Sequence, residues 1–242
     1  KMLNTDTVSD RTAKIQLAAA LQEKQRRISE NKLLHYKPYK KQMKFHELGS
    51  TIRERLFMAG NQLGKTIAGA AEMAMHLTGL YPDWWQGRRY KRPVVAWASG
   101  ITGETVRDTV QRLLVGRTGE YGTGFIPKHC IIGDPKHAMG TPDLLDSVQV
   151  RHVSGGISRC GFKSYATGRE KWQGETLDIL WLDEEPPQDI YTEGLTRTNA
   201  TGGFVYMTFT PLLGMSEVVR RFISDQNNDR VVVNMTIDDV DH

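Results

Sequence analysis

Apolar positions along the chain fall into short, nearly continuous runs separated by longer amphipathic or Ala-rich stretches. Five runs read as buried strands: "RLFMAG" (55–60), "PVVAWAS" (93–99), "LDILWLDEE" (177–185), "GFVYMTFT" (203–210) and "RVVVNMTI" (230–237). Helical patterns lie near 65–78, 103–115, 188–198 and 215–224. Apolar strands alternating with helices predict a mainly parallel sheet covered on both faces. One stretch breaks the alternation. "DSVQVRHVSGGISRCGFKSYATG" reads as two strands around Gly155-Gly156, a hairpin inserted before the 177–185 strand. Residues 116–146, rich in Gly, Pro and His, read as a long surface loop.

The N-terminal pattern is different. Residues 8–33 are charged and helix-favouring, with Leu17, Leu21 and Ile28 at four- and seven-residue spacing and Ser9 as the candidate cap. An amphipathic helix docking on a partner or on the main domain is expected there.

Composition bounds this picture without changing it. A chain of 242 residues, 39% hydrophobic and 25% charged, suffices for one sizeable core. The longest apolar stretch, Ile67 to Leu80, is broken by Glu72 and His76, so no membrane span is expected. The polar opening segment does not read as a secretory signal. A net charge of +4 permits a nucleic-acid partner without requiring one. Cys130 and Cys160 lack metal-ligand spacing and are expected to be reduced and structural, in a reducing compartment.

The chemistry concentrates at strand ends. "AGNQLGKT" (59–66) nearly matches the phosphate-binding pattern Gly, four residues, Gly-Lys-Ser/Thr, with Ala59 in the first glycine position. Strand, loop and helix follow in the order that such a site needs. Backbone N–H groups and a helix N-terminus make a concavity for phosphate oxygens, Lys65 reaches the outer phosphates and Thr66 coordinates Mg²⁺. Gly60 is expected to supply the backbone freedom that Ala59 lacks. "ILWLDEE" then delivers Asp183 to the metal and Glu184 to the attacking water as general base. "TFTP" places Thr208 and Thr210 at the ligand edge of the sheet, where a hydroxyl can sense the outer phosphate. Upstream, Tyr36, Tyr39 and Gln42 offer aromatic stacking and an amide for an adenine ring. Each motif has a structural alternative: a capped helix N-terminus, an acidic surface turn, two β-favouring threonines, a surface helix.

Taken in this order, "YKKQMKFHELG", "MAGNQLGKT", "GREKWQGETLDILWLDEEPP", "EGLTRTN" and "TFTPLLGMSEVV" resemble the ATPase domain of tailed-phage terminase large subunits, closest to podoviruses that package DNA by the headful mechanism. The resemblance implies an α/β P-loop NTPase of the ASCE (RecA-like) class, with a mainly parallel sheet flanked by helices plus the inserted hairpin. It implies a helical arm over 1–35 and the ATPase domain over 36–242. Gln42 becomes the adenine-contacting glutamine. Ala59, Gly60, Asn61, Gln62, Leu63, Gly64, Lys65 and Thr66 become the Walker A loop. Asp183 is the Walker B aspartate, Glu184 the catalytic glutamate, and Thr208 to Thr210 the coupling motif.

Two positions depart from the family pattern. Asn61 stands where many terminases carry an arginine in the loop, and Gln173-Gly174 where many carry Arg-Gly. The arginine finger then falls to Arg169, Lys171 or Arg197; Arg169 is favoured, acting on a neighbouring subunit's ATP, with a structural salt bridge as the equal alternative.

The implied function is an ATP- and Mg²⁺-dependent motor moving double-stranded DNA into a procapsid in the host cell cytoplasm. The implied partners are the portal protein, the terminase small subunit and further copies in a ring. Arg151, Arg159 and Lys163 of the hairpin are candidate DNA contacts, or else a solvated face. Because the chain ends at His242, the C-terminal nuclease domain of such proteins is expected to be absent, so that ATP is hydrolysed but DNA is not cut. The rival readings are a helicase-type ATPase and a non-hydrolysing docking scaffold.

Overall fold

The computed structural model describes residues 5–211, 214–224 and 228–240. The strands are β1 (Glu54–Ala59), β2 (Val95–Gly100), β3 (Ile131–His137), β4 (Leu145–Arg151), β5 (Ile157–Ser164), β6 (Ile179–Asp183), β7 (Phe204–Phe209) and β8 (Arg230–Met235). The helices are α1 (Thr5–Glu30), α2 (Lys40–Leu48), α3 (Lys65–Thr78), α4 (Gly103–Thr105), α5 (Arg112–Leu114), α6 (Gln188–Arg197) and α7 (Glu217–Ser224). A π-helical stretch, Val106–Gln111, joins α4 to α5.

Among the described residues the strands form one sheet in the order β3–β4–β5–β2–β6–β7–β1–β8. From β5 to β8 every pairing is parallel, while β3–β4 and β4–β5 are antiparallel. All five strands read from apolar runs are present, and α3 spans the residues that its pattern indicated. The hairpin also forms, its turn closed by the His152 N–H donating to Gly156 O and the Gly155 N–H donating to His152 O, both at 2.9 Å. Its second strand, β5, pairs with β2 and extends the main sheet. The expected loop 116–146 is only partly a loop, because β3 pairs with β4 inside it. Pro, Gly and His in β3 hid that strand, and its burial is slight, as befits a sheet edge.

Two cores form, one on each face. Phe57, Ala70, Met73, Ala96, Trp181 and Tyr206 belong to the face covered by α2 and α3. Leu56, Leu180, Leu182, Val205, Met207 and Val218 belong to the face covered by α6 and α7. Neighbouring residues of one strand thus enter opposite cores, as strand alternation requires. Helix α3 lies close to β6: a Cβ on Gly69 would sit 2.6 Å from the Trp181 ring. Only glycine lets the loop-bearing helix approach the acidic strand this closely.

Beneath α3 lies a fully buried ionic cluster. Glu72 bonds His46 Nδ1 at 2.7 Å and pairs with Arg55, whose guanidinium stacks 4.7 Å from the Phe45 ring. Burial would raise the Glu72 pKa, but Arg55, His46 and His76 outweigh it and hold the carboxyl well below its usual range. Both cysteines are free and buried. No described helix is long and apolar enough to cross a membrane.

Helix α1 departs from its expected form. Its described span is Thr5–Glu30, so Ser9 lies within the helix and is not its N-cap residue. Ile15, Leu17 and Leu21 are exposed, and among the described residues the arm meets the core at Leu33 and Tyr36.

Candidate nucleotide site

Three parallel strand ends build the site. The strand order puts β7 between β1, which leads into the loop, and β6, which ends in the acidic turn. In register, Thr208 on β7 neighbours both Phe57 on β1 and Asp183 on β6. Residues distant in sequence therefore meet at one C-terminal sheet edge, the usual ligand edge of such folds.

The loop runs from Ala59 to the start of α3. Ala59 is the last residue of β1 and pairs with Met235 of β8. Extended backbone there needs no glycine. The left-handed positions are Gln62 (φ 62°) and Gly64 (φ 79°), not Gly60 as the sequence suggested. The loop closes between them rather than at its first residue. Left-handed residues of this kind turn consecutive N–H groups inward, and the first turn of α3 adds its own unpaired donors. Lys65 opens that helix and is 6% exposed. Thr210 Oγ1 ties the loop down, donating to Ala59 O at 2.8 Å and to Asn61 Oδ1 at 3.2 Å.

The acidic turn faces this loop. Asp183 is 4% exposed. Burial pushes its carboxyl up to about 7, against hydrogen bonds from Thr208 and Thr66 and the charge of Lys65. Thr208 Oγ1 donates to Asp183 Oδ1 at 2.7 Å and receives the Trp181 indole N–H at 2.8 Å. Glu184 is half-buried and left-handed (φ 63°), with its N–H on Thr208 O at 3.0 Å. Burial raises the Glu184 pKa and Lys65 opposes the rise. Lys65 is thus an electrostatic neighbour of both carboxylates, and Thr66 a hydrogen-bonding neighbour of Asp183. One buried carboxylate and one hydroxyl suit a magnesium ion that takes its other oxygens from phosphate and water.

Gln42 closes the other side. Its Nε2 donates to Gly64 O at 3.0 Å and its Oε1 accepts from Tyr39 N at 2.9 Å. Beside it a cleft of about 400 Å³ is lined by Tyr36, Tyr39, Gln42, Leu63, Ile67 and Val240 among others. This is room for a planar ring with an amide at its wall. Tyr36 is mostly core, packed edge-on to His46 and Phe125.

Other expectations fare differently. Arg169 is not among the groups that meet at the strand ends; its Nε pairs with Glu193 Oε2 at 2.9 Å, beside Arg197 on the same carboxylate. Arg159 pairs with Glu175, Lys163 sits 4.6 Å over the Trp97 ring, and Arg151 is exposed. Sequence reasoning missed Trp181 as a partner of Thr208, Tyr165 behind the acidic turn, and Val240 in the cleft. Only Trp181, inside the acidic strand motif, carried a local signal.

Residues 56–242 match the family described as terminase large subunit, T4likevirus-type, N-terminal. The chain belongs to the terminase large-subunit family. It is 46% identical over 257 aligned positions to the terminase large subunit of Salmonella phage P22, covering 98% of this chain and 51% of that protein. It is 30% identical to that of Enterobacteria phage LP7, covering 98% and 53%. This terminase chain therefore spans about half the length of both relatives. Its fold is shared with the large terminase ATPase domain of Thermus phage P74-26 (TM-score 0.54, 17% identity, 84% of this chain and 82% of that one). It is also shared with the large terminase of the thermophilic bacteriophage D6E in complex with ADP (TM-score 0.57, 12% identity, 84% and 46%).

Proposed function

We propose that this chain is the ATP-hydrolysing motor of a DNA-packaging terminase, moving double-stranded viral DNA into a procapsid in the host cytoplasm. The observation that carries the reading is the meeting of Lys65, Thr66, Asp183, Glu184 and Thr208 at one sheet edge. The loop N–H groups and Lys65 hold the phosphates, and Gln42 meets the adenine at the cleft wall. Thr66 and Asp183 would hold Mg²⁺, which would supply charge neutralisation at the outer phosphates. The Glu184 carboxylate orients a water and takes its proton as the water attacks the γ-phosphorus, while the bond to the β–γ bridging oxygen breaks and ADP leaves with that electron pair. Thr208 and Thr210 link the acidic turn to the loop, so loss of the outer phosphate is felt by β7 and then α7.

The remaining partners follow from the same reading. DNA is held through its backbone by Arg151, Arg159 and Lys163, in a salt-sensitive way. Arg169 leaves Glu193 to reach the ATP of a neighbouring copy in a ring on the portal, with the small subunit as a further partner. The test is steady-state ATP turnover of the chain and of Glu184→Ala, with DNA and portal present. We expect turnover that Glu184→Ala abolishes while ATP still binds. Equal turnover in both would remove Glu184 from the mechanism, and none in either would favour a docking scaffold.

A further inference from the structure

Tyr165 meets the acidic turn from the side of β5. It opens the short 3-10 turn Tyr165–Thr167, directly after that strand, and it is buried. Its hydroxyl approaches two consecutive carbonyls, donating to Asp183 O at 2.9 Å and to Glu184 O at 3.0 Å. In an extended strand, successive backbone groups alternate in direction, so one hydroxyl does not reach both. Here the left-handed φ of 63° at Glu184 breaks the alternation and turns both oxygens toward the phenol. A non-glycine residue holds that conformation only where its surroundings over-determine it. Two contacts hold it: the Glu184 N–H bond to Thr208 O and the bond from this hydroxyl.

The tyrosine is itself fixed. Ser164 Oγ donates to Ile101 O at 3.1 Å and the Ala166 N–H to the same oxygen at 3.0 Å, fastening the segment to the end of β2. The ring packs 6.0 Å from that of Trp172. A rigid donor on a fastened segment therefore meets the one strained peptide of the acidic turn.

We infer that Tyr165 is a positioning residue for hydrolysis: its hydroxyl holds the Asp183–Glu184 turn in the conformation that sets the Glu184 carboxylate. The inference rests on the reading of Glu184 as general base. Tyr165 touches no nucleotide in this scheme and acts through the backbone alone. Losing it slows the chemical step and leaves ATP affinity intact.

The test is Tyr165→Phe in the full chain, with Trp172→Phe as a control that loosens the same core and keeps the hydroxyl. Misplacing a base in this way is expected to lower kcat about ten-fold while KM for ATP changes less than about two-fold. The backbone amide and Cβ resonances of Glu184 should shift in Tyr165→Phe without nucleotide. Trp172→Phe should lose thermal stability yet keep kcat within about two-fold. An unchanged kcat in Tyr165→Phe overturns the inference, as does a KM that rises in step with the loss. So does an equal kcat loss in Trp172→Phe at matched stability. If the wild-type chain turns over no ATP, the motor reading fails on its own account and the Glu184 resonances decide. Resonances that shift in Tyr165→Phe support the hold on the turn, and unshifted ones overturn it.

Discussion

Thr208 and Asp183 sit side by side on adjacent strands, the hydroxyl donating to Oδ1 at 2.7 Å while it receives the Trp181 indole at 2.8 Å. Thr208 is completely buried, so neither neighbour can turn to water in its place. Thr208→Val should leave the Trp181 N–H and an Asp183 oxygen each short of a partner, costing about 1–3 kcal/mol. Thr208→Ser should keep most of the stability. Thermal denaturation reads the cost, and ATP turnover should fall in Thr208→Val and survive in Thr208→Ser.

Asp183→Asn should separate stability from function. Burial holds the Asp183 carboxyl up to about 7, against an ordinary value of 3.8. The folded state therefore keeps a proton that the unfolded chain releases. The penalty of ionising Asp183 is absent below about pH 4, grows as pH rises and is complete above about 7. In metal-free buffer the Asn variant should melt above wild type at pH 8, with the gap closing toward pH 4. Adding Mg²⁺ and ATP should reverse the order at pH 8, since only the carboxylate gains a cation. A melting difference that does not vary with pH would refute this account.

Gln42→Ala removes one amide that serves two purposes. It bonds Gly64 O in the loop and Tyr39 N at the start of α2. The second bond satisfies a helix N-terminal donor, and losing it should cost about 1 kcal/mol. If the cleft beside it takes adenine, KM for ATP should rise several-fold with kcat nearly unchanged, and discrimination against GTP should weaken. Equal KM values in variant and wild type would move the base elsewhere.

The legible parts of this protein were those written locally. Strands buried on both faces carry apolar runs, so β1, β6 and β7 could be read directly, and the Gly-Lys-Thr triplet marked the start of α3. Asp183 and Glu184 stood out because acids rarely end such a run. What escaped depended on neighbours distant in sequence. Strand β3 holds Asp134, Pro135 and Lys136 and is a strand because β4 offers it an edge. Gln62 rather than Gly60 carries the left-handed angle, because the loop turns after Ala59 has finished pairing with Met235. Tyr165 resembles any tyrosine after a strand until the sheet order brings β5, β2 and β6 together. Arg169 was singled out for its charge and position, and Glu193, 24 residues on, could not be seen as its partner.

The buried cluster around Glu72 offers the last test, of the scaffold under the loop helix. Arg55, His46 and His76 face Glu72 from β1, α2 and its own helix, and Arg55 is also enclosed by Phe45, Phe204 and Tyr206. Glu72→Leu leaves the Arg55 charge buried and uncompensated, and should cost about 3–5 kcal/mol. Replacing both partners, as Arg55→Met with Glu72→Leu, should recover much of that loss, because two desolvation costs vanish together. The pH dependence has a definite sign. Glu72 is held well below 4.5, so its contribution is complete above that value and is lost as pH falls through the folded one. His76 is held down by burial, so acidification from 6.5 also destabilises the fold by forcing a proton onto a buried ring. Wild type should therefore lose stability steadily below about pH 6.5 and more steeply below 4.5, whereas the double variant should lose only the first part. Urea titrations across that range measure both limbs, and identical acid limbs in wild type and double variant would remove Glu72 as the cause.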